Sequence, residues 1–268
     1  MMNEVTLCVP TFNSSSTVGN TLAAIKDLDP SPFEVFVVDG GSSDGTLEIV
    51  RSYNISIINQ GDAPGLSGAR NIALDRCETE YLAMIDSDVV PASDWLGVVV
   101  SELQKHSCAA TTAGIRHITP TLSARWAADR MDLSPTSEPG PTDIIPGANG
   151  CYRVDSLNDV GGWDESYPFA NEDLAVSDRL QKAGYELRYT EDTYVEHRSP
   201  QGLNAVYQLW RWHRPEGKPN TVGEVIKRAV ENTGKSVLYS IEHIKDGYWS
   251  FVLLDLSIVP LHTYWDVT

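Results

Sequence analysis

Tyr81-Leu-Ala-Met-Ile-Asp-Ser-Asp88 is an apolar run that stops abruptly in two carboxylates. The uncharged part reads as a buried strand, which leaves Asp86 and Asp88 at the rim of a sheet. Strand side chains alternate between faces, so this reading puts both carboxylates on the same side. Two hard oxygen ligands on one side suit Mg²⁺ or Mn²⁺, ions that commonly hold phosphate oxygens as well. A solvated loop after a strand is the plainer reading of an isolated Asp-x-Asp. The surrounding chain decides between the two.

Outward from that strand, short apolar runs alternate with helical periodicity. Val5–Val9, Phe33–Val38, Ile55–Ile58, Tyr81–Ile85 and Ala109–Ile115 read as strands. Thr17–Leu28, Thr46–Tyr53, Gly68–Arg76 and Trp95–His106 read as helices. In the first helix Val18, Leu22, Ile25 and Leu28 form the buried stripe, and the serines before it are placed to cap it. Near-continuous apolar strands alternating with helices predict an α/β fold, a mostly parallel sheet flanked by helices on both faces. Such sheets bind ligands at the carboxyl ends of their strands. Those ends carry Pro10-Thr11-Phe12-Asn13, Asp39-Gly-Gly-Ser-Ser-Asp-Gly-Thr46 and Asp86-Ser87-Asp88. Beyond Ile118 the periodicity weakens. Ser134–Thr142, rich in Pro, Ser and Gly, reads as an exposed loop. A second block runs from Ile144 to His197, and Leu203–His213 and Val222–Ile244 look helical.

Asp39 ends a strand and opens a Gly-rich turn in which Gly40, Gly41 and Gly45 permit close approach. The turn has neither G-x-G-x-x-G nor a Walker lysine, which argues against a dinucleotide cofactor or a P-loop. An acceptor carboxylate there reads a base N–H or a ribose hydroxyl, or else caps the next helix, a role for which Asp44 is better placed. Gly65-Leu-Ser-Gly-Ala-Arg-Asn71 opens another helix: Arg70 contacts a nucleotide or makes a surface salt bridge, and Asn71 braces the loop. Asn171-Glu172-Asp173 introduces a helix. Its acids complement the helix dipole, or one of them is a general base beside an acceptor hydroxyl. His197 follows the extended run Tyr194-Val-Glu196.

The order of Val9-Pro-Thr-Phe-Asn13, Val37-Val-Asp-Gly-Gly-Ser-Ser-Asp-Gly-Thr46, Gly68-Ala-Arg-Asn71, Ile85-Asp-Ser-Asp88, Gly147-Ala-Asn-Gly-Cys-Tyr-Arg153, Gly161-Gly-Trp-Asp-Glu165 and Glu172-Asp173 resembles the family 2 glycosyltransferases, over about Val5 to His197. One departure is Gly40, where the family often has a second Asp. The resemblance implies an inverting enzyme of the GT-A (Rossmann-like) fold that uses a nucleotide-sugar donor. It implies donor binding by Pro10, Thr11, Asn13, Asp39, Arg70, Asp86, Ser87 and Asp88, with Thr11, Asp39 and Arg70 near the base and Asp86 near the ribose. Mg²⁺ or Mn²⁺ on the diphosphate would meet Asp88 and His197. Asp173 would deprotonate the acceptor. Gly147, Asn149, Gly150 and Glu172 would line the acceptor cleft. Arg211 and Trp212, in Gln208-Leu-Trp-Arg-Trp212, resemble the motif with which chain-extending synthases hold an acceptor sugar. Those synthases carry transmembrane helices and this sequence shows none, which favours single addition. The implied organisation is a catalytic domain over residues 1–200, with a nucleotide-binding half (1–115) and an acceptor-binding half (116–200), then a helical extension over 201–268.

Composition narrows the partners. The 268 residues carry 37 acidic and 20 basic side chains, a net charge of −17. That excess argues against nucleic acid, whose binding relies on basic residues. With Lys scarce, it reads as adaptation to a salt-rich cytoplasm, where self-repulsion is screened. Cys8, Cys77, Cys108 and Cys151 form no C-x-x-C and read as free thiols, three of them in apolar surroundings. The N-terminus has no signal-peptide pattern, so the expected place is the cytoplasm, or the inner face of the cell membrane. Tyr248–Trp265 is apolar with aromatics at both ends, interrupted by Asp255 and Pro260. It packs on the catalytic domain, forms a homodimer face, or lies in a membrane interface. The expected acceptor is a glycan or a polyprenyl-phosphate-linked sugar. Two other readings stand beside the transferase: a sugar-phosphate nucleotidyltransferase, against which the absence of Arg and Lys in Pro10–Ser16 weighs, and a non-catalytic carbohydrate-binding relative.

Overall fold

In a computed structural model of the protein, the structure describes residues 2–130, 138–167 and 171–199, and then 230, 231, 233, 236, 237, 240, 241, 251 and 255. The strands are β1 (Met2–Thr11), β2 (Pro32–Asp39), β3 (Ser56–Asn59), β4 (Tyr81–Ile85), β5 (Val89–Pro91), β6 (Ala110–Ile118), β7 (Gly140–Pro141), β8 (Asn149–Arg153) and β9 (Leu187–Arg198). The helices are α1 (Val18–Lys26), α2 (Thr46–Ser52), α3 (Gly65–Arg76), α4 (Trp95–His106), α5 (Leu122–Arg130), α6 (Val154–Asp159) and α7 (Glu172–Lys182). One sheet runs β3-β2-β1-β4-β8-β6-β9-β5, with β7 on β9.

The period-2 pattern divides the core. Val5, Leu7, Val9, Val37, Ala83 and Ile85 point to one face, where Val18 and Leu22 of α1, Val50 of α2, and Leu96, Val99 and Leu103 of α4 cover them. Cys8, Phe36, Val38, Leu82 and Met84 point to the other, against Ala69 and Ala73 of α3, Leu157 of α6, and Val176 and Leu180 of α7. Each fully buried Leu or Val contributes about 1.5–3 kcal/mol. Burial on both faces is why these strands read as continuous apolar runs.

The parallel expectation holds for β3, β2, β1 and β4. Past β4 the sheet is mixed. β8 lies antiparallel between β4 and β6, β9 is parallel to β6, and β5 and β7 are antiparallel to β9. Short antiparallel strands such as β5 and β7 give little periodic signal, so they are absent from the sequence reading. Part of the expected loop Ser134–Thr142 is in fact β7, with Thr142 buried. The serines before α1 do not cap it through their side chains. The Ser14 carbonyl accepts from the Thr17 and Val18 amides, while its hydroxyl turns to Ser87 at 2.7 Å.

By contacts the chain divides into two compact units, residues 1–118 with 133–198, and 119–132 with 199–268. The first holds the sheet. In the second, α5 is buried through Ala124, Trp126 and Ala127. Asp255, expected to interrupt an apolar tail, is buried too and accepts a 2.8 Å bond from Trp126 Nε1. The described residues within Val222–Ile244 are helical, as expected. Arg211, Trp212 and all of Tyr248–Trp265 except Phe251 and Asp255 lie outside the described residues. Among the described residues no helix is long and apolar enough to cross a membrane. All four cysteines are free thiols. Cys8, Cys108 and Cys151 are buried and Cys77 is partly so.

Candidate active site

The polar strand ends converge as the parallel topology requires. Thr11 and Asp39 are direct partners across β1 and β2. Asp39 is 3% exposed, and protein donors take both its oxygens. Thr11 Oγ1 (3.0 Å) and Ser42 Oγ (2.6 Å) donate to Oδ1, and the Gly41 and Ser42 amides (2.9 and 2.8 Å) donate to Oδ2. The turn closes back on its own acid because Gly41 and Gly45 adopt φ of 91° and 93°, a region costly for residues with a Cβ. Asp44 organises the next segment, accepting from the Thr46 hydroxyl, the Thr46 amide and the Ser15 amide at 2.6–3.1 Å. The Thr46 hydroxyl bond is the main reason its carboxyl is held well below the usual range. Asn13 bridges the two loops through Ser42 Oγ and the Ser43 amide. Pro10 is buried within β1. Phe12 is 57% exposed beside this turn. The motif Val9-Pro-Thr-Phe-Asn13 gives Phe12 no role by itself; its exposure at a polar strand end makes it a candidate contact.

The expectation that Asp86 and Asp88 share a strand face fails, because β4 ends at Ile85 and the pair lies in the turn before β5. They take different partners. Asp86 Oδ1 lies 3.3 Å from Arg70 Nη2. Asp88 Oδ1 lies 3.6 Å from His197 Nε2, because β5 brings Val89 opposite His197. Ser87 between them bonds Ser14, tying the β4 turn to the β1 turn. The Asp86 carboxyl is pushed up to about 7. Desolvation is the main cause, opposed by Arg70 and reinforced by Asp88, Glu172 and Asp173.

Arg70, expected at the nucleotide, is 2% exposed and fully engaged inside the protein. Nη1 donates to Glu172, and Nη2 to Asp86 and to the Gly147 carbonyl at 3.1 Å. Desolvation disfavours its charge, but Glu172 and then Asp86 outweigh this and leave the guanidinium more basic than usual. Glu172, expected in the acceptor cleft, is the other half of this buried pair. Burial pushes its carboxyl up while Arg70 opposes. Asp173 follows it in the first turn of α7, whose dipole favours a carboxylate. Each Asp173 oxygen accepts one backbone amide, Leu174 N at 2.8 Å and Gly147 N at 3.0 Å.

Two further acceptor-side expectations are corrected. Asn149 is fully buried in β8, where it accepts from Trp95 Nε1 (3.2 Å) and the Ala113 amide (2.9 Å) and joins β8 to β6. Gly150 is buried in the same strand. A Cβ there would lie 2.7 Å from Ile145 and 2.8 Å from the Tyr152 ring, so its missing side chain serves packing. Asn71 does brace a loop: Nδ2 donates to the Trp163 carbonyl (2.8 Å) and Oδ1 accepts the Trp163 amide (2.8 Å). Arg179 of α7 holds the same loop through the Val160 and Gly162 carbonyls.

A divalent cation fits Asp88 and His197, a carboxylate and an imidazole side by side at the solvent edge. His197 Nδ1 is buried without a hydrogen-bond partner, and the His117 ring packs edge-on against the His197 ring at 5.4 Å. His117 escaped the sequence reading because its neighbourhood exists only through the β6–β9 pairing. No group of three or more His, Cys, Asp or Glu side chains is poised for a metal among the described residues. One or two carboxylates with substrate phosphates and water completing the shell is the usual arrangement for Mg²⁺, a role that Asp88 fits.

Comparison with known proteins agrees with this fold. The chain is 29% identical over 209 residues to the pre-mycofactocin glycosyltransferase of Mycobacterium tuberculosis, covering 72% of this chain and 42% of that protein. Among solved structures, Staphylococcus aureus TarS 1–349 in complex with UDP-GlcNAc superposes with a TM-score of 0.62 at 20% identity, over 85% of this chain and 66% of that one. The Pyrobaculum calidifontis mannosyltransferase PcManGT in complex with GDP-Man and Mn²⁺ superposes with a TM-score of 0.57 at 20% identity, over 98% and 71%. These likenesses show the GT-A fold. The sequence matches the family model "Glycosyl transferase family 2" over residues 6–160, and the chain belongs to that family.

Proposed function

We propose that the protein transfers a sugar from a nucleoside diphosphate donor to a hydroxyl acceptor, a glycan or a polyprenyl-phosphate-linked sugar, with inversion at the anomeric carbon. The observation that carries this reading is Asp173. It is a carboxylate with one hydrogen bond per oxygen, leaving a lone pair on each, tied through Gly147 and Arg70 to the turn that bears Asp88. Asp173 takes the acceptor proton as the acceptor oxygen attacks the anomeric carbon. The bond to the diphosphate oxygen breaks and the nucleoside diphosphate leaves from the opposite face. A single base and a single displacement invert the configuration. Asp88 and His197 would hold Mg²⁺ or Mn²⁺, which would offset charge on the leaving diphosphate. Thr11, Asn13 and the Asp39 turn shape the base pocket, and Phe12 offers a face on which the base stacks. Structures similar to this chain hold UDP-GlcNAc or GDP-Man, so UDP- and GDP-sugars are the donor classes to test. Phe251 and Asp255 are buried, which supports packing rather than membrane contact at those two tail positions.

Transfer from UDP- and GDP-sugars in the presence of Mn²⁺, with calorimetric UDP and GDP binding, tests the reading. Asp173→Asn is expected to lower turnover by about 10²–10⁴-fold, the usual share of a general base, while nucleotide binding persists. Asp88→Ala is expected to remove the difference in nucleotide affinity between Mn²⁺ and EDTA. Normal turnover in Asp173→Asn excludes it as the base.

A further inference from the structure

We propose that Arg70 is a positioning residue, one that sets the base Asp173 relative to the donor-side turn without meeting either substrate. The proposal rests on the transferase reading above. Arg70 and Asp173 are both buried, at 2% and 4% exposure, but both terminal nitrogens of Arg70 are taken by protein acceptors while each Asp173 oxygen accepts a single amide. Its three acceptors belong to three separate segments: Asp86 after β4, Gly147 before β8 and Glu172 at the start of α7. Two of these connections act on Asp173. The Gly147 carbonyl is held by Nη2 while the Gly147 amide donates to Asp173 Oδ2, so the guanidinium fixes the residue whose N–H aims the carboxylate. Glu172 is the residue before Asp173, so the bond from Nη1 pins the first turn of the helix that carries the base. The third connection, to Asp86, lies two residues from Asp88.

Charge and shape both require an arginine here. Asp86, Glu172 and Asp173 all act electrostatically on Arg70, and without a cation their repulsion would drive them apart. A lysine supplies the charge as a point, whereas the planar fork holds several acceptors in fixed directions. The partner is matched to the fork. A Cβ on residue 147 would lie 2.5 Å from Nη2, 3.1 Å from Nη1 and 3.2 Å from Cζ, so any other residue there would force the guanidinium to shift. Gly147 therefore serves the base through Arg70, rather than lining the acceptor cleft by itself.

Arg70→Lys and Gly147→Ala test this from opposite sides of the same contact. One keeps the charge and loses the fork; the other keeps the fork and displaces it. Turnover is measured with UDP-GlcNAc and GDP-mannose in Mn²⁺, UDP and GDP binding by calorimetry, and folding by circular dichroism melting. In variants folded at the assay temperature, kcat is expected to fall about 10²-fold while donor KM and nucleotide affinity stay within about threefold, the signature of a misplaced reacting group. Nucleotide affinity falling in step with kcat would make Arg70 a donor ligand and overturn the proposal. Unchanged kcat in both variants overturns it as well. Full turnover in Asp173→Asn removes the base assignment and this proposal together. Lost turnover in Asp173→Asn with normal Arg70→Lys and Gly147→Ala removes this proposal alone. A wild-type chain that binds none of these nucleotides overturns both.

Discussion

Asp39 and Asp173 are the same side chain in different states of hydrogen bonding. A carboxylate has about four lone-pair sites. Protein donors fill four on Asp39 and two on Asp173. The first acid is therefore the organiser of its turn, and the second keeps unfilled acceptor sites. Nothing in either local sequence separates them, because the donors on Asp173 include Gly147, whose backbone arrives from another segment. Asn149 teaches the same lesson in reverse. Its motif suggested a cleft, and burial made it a joint between strands. Asn149→Ala leaves Trp95 Nε1 and the Ala113 amide without their buried acceptor, a loss expected to cost about 2–4 kcal/mol. Urea denaturation measures it, and wild-type stability in the variant would remove Asn149 from this role.

At the scale of elements, the alternating strands and helices of the first 118 residues were legible, whereas β5, β7, β8, β9, α5 and α6 were not. β1, β2 and β4 each carry uninterrupted apolar runs, and the stripe Val18, Leu22 and Ile25 of α1 is buried as its spacing predicts. β5 and β7 span three and two residues, too few for a period to show. The turn after β4 explains the one geometric error about the acidic pair: alternation needs strand backbone, which stops at Ile85. Residues 160–163 show how two elements hold a turn in place. Asn71 of α3 and Arg179 of α7 grip residues 160–163 from two sides. Gly162 sits at φ +68°, and a Cβ there would lie 2.6 Å from Asn71 Oδ1. Gly162→Ala is expected to lose about 1–3 kcal/mol through backbone strain and to loosen this grip. Limited proteolysis reads the second effect as faster cleavage between residues 160 and 167, and an unchanged rate would contradict it.

Across the whole molecule the net charge of −17 is the dominant long-range term. Self-repulsion of that size destabilises a compact chain in dilute buffer and is screened as ions are added. The melting temperature is expected to rise steadily from dilute buffer toward molar KCl, and a flat or falling series would refute salt adaptation. The sequence by itself determined the α/β order of the first hundred residues, the polar strand ends and the family resemblance, because all three are written in local pattern. It also identified most of the residues that meet around the site. Only the tertiary structure decided what each of them does. Arg70 and Glu172 stand 102 positions apart in the chain, and Asp88 meets His197 only through the β5–β9 pairing. Whether a carboxylate is a turn organiser, half of a buried ion pair or the proposed base depends on which donors reach it. Those donors come from distant segments that only folding brings together.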